Sequence, residues 1–163
     1  MSQRFSVESE LSRIDAGLVA DAQKEWGVSV EWFRFDEDAT AVDDLYDVGA
    51  ARRWQSPLRI PALWVVRDEG RDTYDQDGLY VTETLQVALA KSVLRDKLHW
   101  VNLEKMIRDH LRDRIQFEGV VFTISSFQPM GQLLDRDTII GVMATKVRED
   151  QHIWDPDFSP PNP

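Results

Sequence analysis

Between Asp113 and Ile124 the chain reads Asp-Arg-Ile-Gln-Phe-Glu-Gly-Val-Val-Phe-Thr-Ile, two strand-forming runs around a Glu118-Gly119 pair. β-Branched and aromatic side chains suit a pleated, half-buried surface, and glycine supplies the positive φ that a two-residue hairpin turn requires. The pattern predicts strands over 114–117 and 120–127. An isolated hairpin is marginal in water, so these strands commit the chain to a larger sheet or to a sheet covered by helices.

The rest of the sequence supplies both. Leu11, Ile14, Leu18, Ala22 and Trp26 recur every three or four residues, which predicts a helix over 10–26 with Ser9 as N-cap and Gly27 as its stop. Residues 28–35 read as a strand covered on both faces. The alternation Leu58, Ile60, Ala62, Trp64, Val66 predicts another, placed at a sheet edge because Pro61 has no amide hydrogen to donate. Gly78 opens a third strand, with Leu79, Val81, Leu85, Val87 and Leu89 on one face and a length that suits a bent or barrel-forming element. Asn102 caps a helix through Leu111 whose inward stripe is Leu103, Met106, Ile107, His110 and Leu111. A turn is expected at 128–131, and a last strand over 138–147. These strands and two helices give an α+β, β-dominant fold: a rolled sheet or small β-barrel flanked by an N-terminal and a mid-chain helix. Residues 1–150 form one domain on this reading, and the proline-rich 151–163 form an extended C-terminal arm carrying Trp154 and Phe158.

Two stretches are too acidic to bury. Asp36, Glu37, Asp38, Asp43, Asp44 and Asp47 crowd one expected loop, and Asp68, Glu69, Asp72, Asp75 and Asp77 crowd another. A net charge of −10 disfavours a surface that grips nucleic acid by neutralising phosphates. On charge alone this reads as solubility, and it is compatible with a surface past which DNA slides without sticking. No cysteine is present, so disulfides, thiolate zinc sites and thiol nucleophiles are excluded, which fits a reducing cytoplasm. Neither a signal peptide nor a membrane span is expected.

Chemical motifs fare poorly. Asp43-Asp44-Leu45-Tyr46-Asp47 has the DDxxD form used to hold magnesium diphosphate, but on a short strand-rich chain it reads as a solvated loop. Asp75-Gln76-Asp77-Gly78 resembles part of a calcium loop with Thr84 where the bidentate glutamate belongs, so it reads as a turn. His99, His110 and His152 lack metal-ligand spacing, and His110 reads as a satisfied boundary residue. No catalytic residue, cofactor or metal site is assigned. Of the six tryptophans, Trp26, Trp32, Trp64 and Trp100 read as core. Trp54 follows Arg52-Arg53 in a loop, and with Trp154 and Phe158 these residues are candidate anchors for a partner, the alternative being that each folds back on its own domain.

Glu31-Trp32-Phe33, Asp44-Leu45-Tyr46-Asp47 with Gly49, Arg52-Arg53-Trp54, Ile60-Pro61, Gly78-Leu79-Tyr80, and Asp113-Arg114-Ile115 leading to Gly119 and Phe122 together resemble the neck proteins of long-tailed phages of actinobacteria. The resemblance runs from about Val28 to Phe158, closing on Asp155-Pro156-Asp157-Phe158. Such proteins are called head-to-tail connectors, head-closure proteins or stoppers. The resemblance implies a virion protein, made in the host cytoplasm, that forms a homo-oligomeric ring, a hexamer or dodecamer, below the portal or adaptor. That ring retains the packaged double-stranded DNA without sequence-specific binding and offers a platform to the tail terminator or tail tube. It implies no enzyme, no cofactor and no membrane. The acidic loops then become channel-facing candidates. The 10–26 helix and the long segment before the hairpin depart from the most compact stoppers, so a tail terminator or another neck ring is the alternative, with a small divalent-metal-dependent enzyme more distant.

Overall fold

The computed structural model describes residues 7–25, 27–43, 48–75, 78–133 and 136–147. Within them lie α1 (Val7–Glu25), β1 (Ser29–Phe33), β2 (Ala41–Asp43), β3 (Val48–Ala51), β4 (Leu58–Pro61), β5 (Trp64–Asp75) and β6 (Gly78–Ala90). They are followed by α2 (Lys91–Leu98), α3 (Leu103–His110), β7 (Arg114–Phe117), β8 (Val120–Leu133) and β9 (Arg136–Lys146). Seven strands form one antiparallel sheet in the order β4-β1-β7-β8-β9-β6-β5, and β2 and β3 pair separately. The fold is α+β and β-dominant, as the sequence predicts, and the sheet is rolled without closing on itself.

The roll follows from one covalent fact. β4 and β5 stand at opposite ends of the strand order, yet only Ala62 and Leu63 join them. Three Cα–Cα steps span at most ~11 Å, so the two edges must curl to within that reach of each other. The link is fastened on both sides: the Ala62 N–H donates to the Val28 carbonyl, 3.1 Å, and the Leu63 N–H to the Ala88 carbonyl, 2.8 Å. Pro61 does end an edge strand. The single strand expected over Leu58–Val66 is instead two, because burying Ala62 and Leu63 at the crossing requires the chain to leave one edge for the other.

The interior of the roll holds Val30, Trp32, Ile60, Leu85, Val87, Leu89, Ile115, Phe122, Ile124, Ile140 and Val142, each at most 2% exposed. β1 alternates, with Val30 and Trp32 buried and Glu31 exposed, so it is covered on one face only, contrary to the expectation of two. The β7–β8 turn is as predicted. Glu118 and Gly119 have φ of 50° and 79°, the paired positive values of a type I′ turn, and Phe117 faces Val120 across it.

Three expectations are corrected. The stretch 68–75 is a strand and not a loop: β5 pairs with β6 from Trp64↔Ala88 out to Asp75↔Gly78, with a bulge between Asp68 and Arg71. Gly70 makes that bulge, with φ of 83°, where a Cβ would overlap the Thr82 carbonyl oxygen. The 128–131 turn is likewise part of β8, whose register shifts absorb Pro129 and Gly131. Finally, α2 fills the segment after β6, burying Val93, Leu94 and Leu98. Among the described residues there are thus nine strands and three helices, more of each than expected.

α3 is capped as predicted, the Asn102 side chain accepting from the Lys105 N–H at 2.8 Å, and Met106 is buried. α1 seats less of its stripe than its spacing suggests. Ala22 is buried and Val19 half-buried, but Ile14 and Leu18 are 43% and 41% exposed, because contact with α2 and β6 is made only toward one part of the helix.

Strand direction fixes where the polar segments go. β1 and β5 run in opposite senses, so Asp36–Asp38 after β1 and Asp68–Asp75 within β5 leave the sheet by opposite ends. β9 accompanies β6 only as far as Thr84↔Thr145. Residues 78–83 of β6 and their partners on β5 therefore project beyond β9 as a two-stranded arm, about 20 Å long at roughly 3.3 Å per residue.

Candidate functional site

At the end where β1 leaves the sheet, Phe33 pairs with Arg114, and the residue before it, Asp113, is turned into the protein. Asp113 is 1% exposed. A buried carboxylate must be matched by donors, and here three converge. The Trp32 indole N–H donates to Oδ2 at 2.7 Å, the Phe35 backbone N–H to Oδ1 at 2.8 Å, and His110 Nδ1 lies 2.6 Å from Oδ2. In the tautomer with its proton on Nδ1, the imidazole donates to the carboxylate as the third of these groups. The Asp113 carbonyl also accepts from the Ile124 N–H at 3.2 Å. One residue therefore ties these segments together, its side chain joining α3 to β1 and the Phe35 backbone, and its carbonyl reaching β8.

Above this aspartate lies a rim of arginine and aromatic side chains. Phe35 and Trp54 belong to short segments bridged antiparallel, with the Asp36 N–H donating to the Arg53 carbonyl and the Gln55 N–H to the Arg34 carbonyl. Their rings meet edge to face, with centroids 5.7 Å apart. The buried Arg114 guanidinium lies 4.0 Å from the Trp54 ring centroid, and that of Arg112 5.5 Å from Phe35. The Trp54 indole donates to the Arg112 carbonyl at 3.2 Å. Trp54 thus folds back on its own domain and stays half-buried, whereas Arg52 and Arg53 are exposed.

The acidic candidates are split. Asp36 closes its own turn, its Oδ1 accepting from the Ala39 N–H, while Glu37 and Asp38 are exposed and Glu37 sits 3.4 Å from Arg112. Asp43 lies on β2, and Asp44 and Asp47 lie outside the described residues. Asp68 and Glu69 are exposed on β5, Asp72 and Asp75 occupy later register positions of the same strand, and Asp77 lies outside the described residues. The structure does not bring the two sets together. Trp154 and Phe158, with the whole of 151–163, also lie outside.

At the root of the arm stands Glu83, 8% exposed, on the inward row that Leu85 and Val87 continue. Arg67 donates to it through Nε at 2.9 Å and Nη2 at 2.6 Å, and the Lys146 ammonium binds its other oxygen. The hydrogen bond from Lys146, joined by that from Arg67, holds the Glu83 carboxyl below its ordinary 4.5 against the opposing pull of desolvation. A depressed carboxylate stabilises fully above its unfolded-state value and loses that contribution as pH falls through the folded value. The arm is therefore expected to loosen in acid, below about pH 4.5. Amide exchange along 67–83 measures this directly, and Glu83→Gln should flatten the acid limb while raising exchange at neutral pH.

Asp113 and Glu83 were not singled out from the sequence. Glu83 carried a signal, as the one acid in the row Leu79, Val81, Leu85, Val87, Leu89. Asp113 carried none locally, since its partner Trp32 is 81 residues away. Among the described residues no group of three or more His, Asp or Glu side chains is placed to hold a metal ion, and no helix is long and apolar enough to cross a membrane.

No protein-family model matches the chain, and no curated protein matches it. Among solved structures, the fold is similar to that of a chain in the virion of a native gene transfer agent (GTA) particle. The TM-score is 0.50 at 11% identity, and the match covers 74% of this chain and 94% of that one. The likeness is one of fold: nearly all of that chain superposes on most of this protein.

Proposed function

We propose that this protein is a structural ring subunit of a tailed-phage neck, a stopper or connector that retains packaged DNA and carries the tail. The observation that supports this most is the likeness of the rolled sheet to nearly the whole of a gene-transfer-agent virion chain. The neck-protein resemblance falls on residues with defined structural work: Trp32 and Asp113 form the buried clamp, Arg114 and Trp54 stack above it, and Pro61 ends the edge strand. The protein so described works by presenting surfaces to neighbours, with no cofactor and no chemical step.

In this reading the ring encircles DNA, and acidic side chains toward the lumen keep the duplex from adhering. Asp36, Glu37 and Asp38 are the lining set at one end of the sheet. Portal or adaptor and tail terminator or tail tube meet the two faces of the ring, with Arg52, Arg53 and the Trp54 rim offered to one of them. Arginine and aromatic residues of this kind dominate binding energy at protein interfaces. Contact with the next ring is assigned to residues 151–163.

Genetic removal of the chain tests the reading. Lysates should then contain separate tails and heads that have lost their DNA, seen by electron microscopy, with infectious or transducing titre reduced by orders of magnitude. Normal numbers of joined particles would rule it out.

A further inference from the structure

Two exposed surfaces of this chain are nearly free of charge, and they lie on different elements. α1 carries the first. Ile14 and Leu18 are 43% and 41% exposed, and Gly17, three residues after Ile14 on the same side of the helix, has open space where a Cβ would stand. Glycine inside a helix is less favourable than alanine, and no neighbouring element of the chain comes close enough to require it here. From 14 to 20 the helix reads Ile-Asp-Ala-Gly-Leu-Val-Ala, with Asp15 its one charged residue.

The second surface is the outer face of the sheet. Leu85, Val87 and Leu89 of β6 point into the roll, so Gln86 points out of it with its register partners Val66, Met143 and Ser126. None of the four is charged, nor is any residue of the adjoining row from Trp64 to Gln128. Since 29% of the chain's residues are charged, two neighbouring outward rows with none set this face apart. Asp68, opposite Thr84, bounds it at the edge strand. Val66 is 51% exposed and Met130 47%, and Met130 lies against Gly141, where a Cβ would overlap its sulfur, which puts it on this same face.

Exposed apolar surface on so charged a chain marks contact with another protein. Charge says which. Each copy carries −10, so two copies repel unless they meet through neutral surface, and these two surfaces are neutral. Their shapes also differ: α1 offers a ridge notched at Gly17, and the sheet offers Val66 and Met130 as projections. We infer that α1 of one copy packs on the outer sheet face of a second copy, with Val66 and Met130 of that face meeting Ile14, Gly17 and Leu18. The contact joins unlike surfaces, so it passes from copy to copy and closes into a ring where the rotation permits. This rests on the ring reading above and names the subunit contact within it. The Trp54 rim, residues 151–163 and the Asp36–Asp38 end stay free for the roles proposed for them.

Sedimentation velocity over a concentration series tests the contact. The parent chain should associate, and about 1 M salt should leave the association in place, because screening does not weaken apolar packing. Leu18→Glu and Val66→Glu, both at exposed positions, should each weaken association by about tenfold or more. An equimolar mixture of the two should give a dimer and nothing larger, since the first keeps its sheet face and the second its α1. Gly17→Leu has open space around it in a single copy, so it should melt no lower than the parent yet lose association to the same degree. Should a glutamate variant fail to fold by circular dichroism, Leu18→Cys and Val66→Cys replace the pair, the native chain having no cysteine. Mixed and oxidised, they should give the mixed dimer in preference to either symmetric one. Parental association of Val66→Glu, meaning that α1 pairs with α1, or of Leu18→Glu, meaning sheet face on sheet face, would overturn the inference. So would dissociation by salt, or a parent that neither associates nor cross-links at high concentration. Gene removal reports on the neck role separately, so a neck protein built on some other subunit contact would be recognised as such.

Discussion

Asp113→Ala should lower the melting temperature by about 10 °C. Three donors converge on that carboxylate: the Trp32 indole, the Phe35 amide and His110. Each buried donor left unsatisfied costs roughly 1–3 kcal/mol, so a total of about 3–5 kcal/mol is expected after local relaxation. Asp113→Asn does not escape the penalty, because its amide group points a donor at groups that are already donors. The damage should also spread to the rim. Phe35 is fastened through its backbone to Asp113 and through its ring to Trp54, so losing the clamp should loosen the Asp36–Asp38 turn together with Trp54. Thermal melting gives the first effect, and amide exchange at 33–40 and 52–55 the second. A variant melting within a degree or two of the parent would show that the cluster is not what holds these elements.

Deletion of residues 151–163 should do the reverse, leaving the fold unchanged and abolishing head-to-tail joining. Among the described residues the buried cluster runs from Ala22 to Ala144, and the Val147 N–H donates to the Val121 carbonyl. The truncated chain should melt within about 2 °C of the parent. In particles it should leave filled heads and free tails side by side. Joined, infectious particles in parental numbers would remove the segment from the docking role.

These expectations draw on features that differ in how plainly the sequence shows them. The Glu118-Gly119 turn, the Asn102 cap and the Pro61 edge were legible because each is a local matter of backbone conformation or a missing donor. The arm was misread as a loop because polarity was taken as absence of structure. The stretch is defined as a strand by its backbone pairing with β6 and not by apolar alternation, and Gly70 marks a bulge within a strand, not the end of one. α2 was missed for a related reason: it is eight residues long, and its N-cap, Ala90, makes no side-chain cap bond, so nothing marks its start. The joining of β4 and β5 across two buried residues cannot be seen without topology, since alternation continues unbroken from Leu58 to Val66.

The same distinction applies to the surfaces. Composition showed an acidic chain, but not that the acids leave by opposite ends of the sheet.

The most direct test is the location of the chain in purified particles. A tag fused after residue 163, labelled and viewed by electron microscopy, should mark a single position at the junction of head and tail on every complete particle. Mass spectrometry of the same particles should find a fixed number of copies consistent with one hexameric or dodecameric ring. Particles that are infectious yet contain none of this protein would contradict the account.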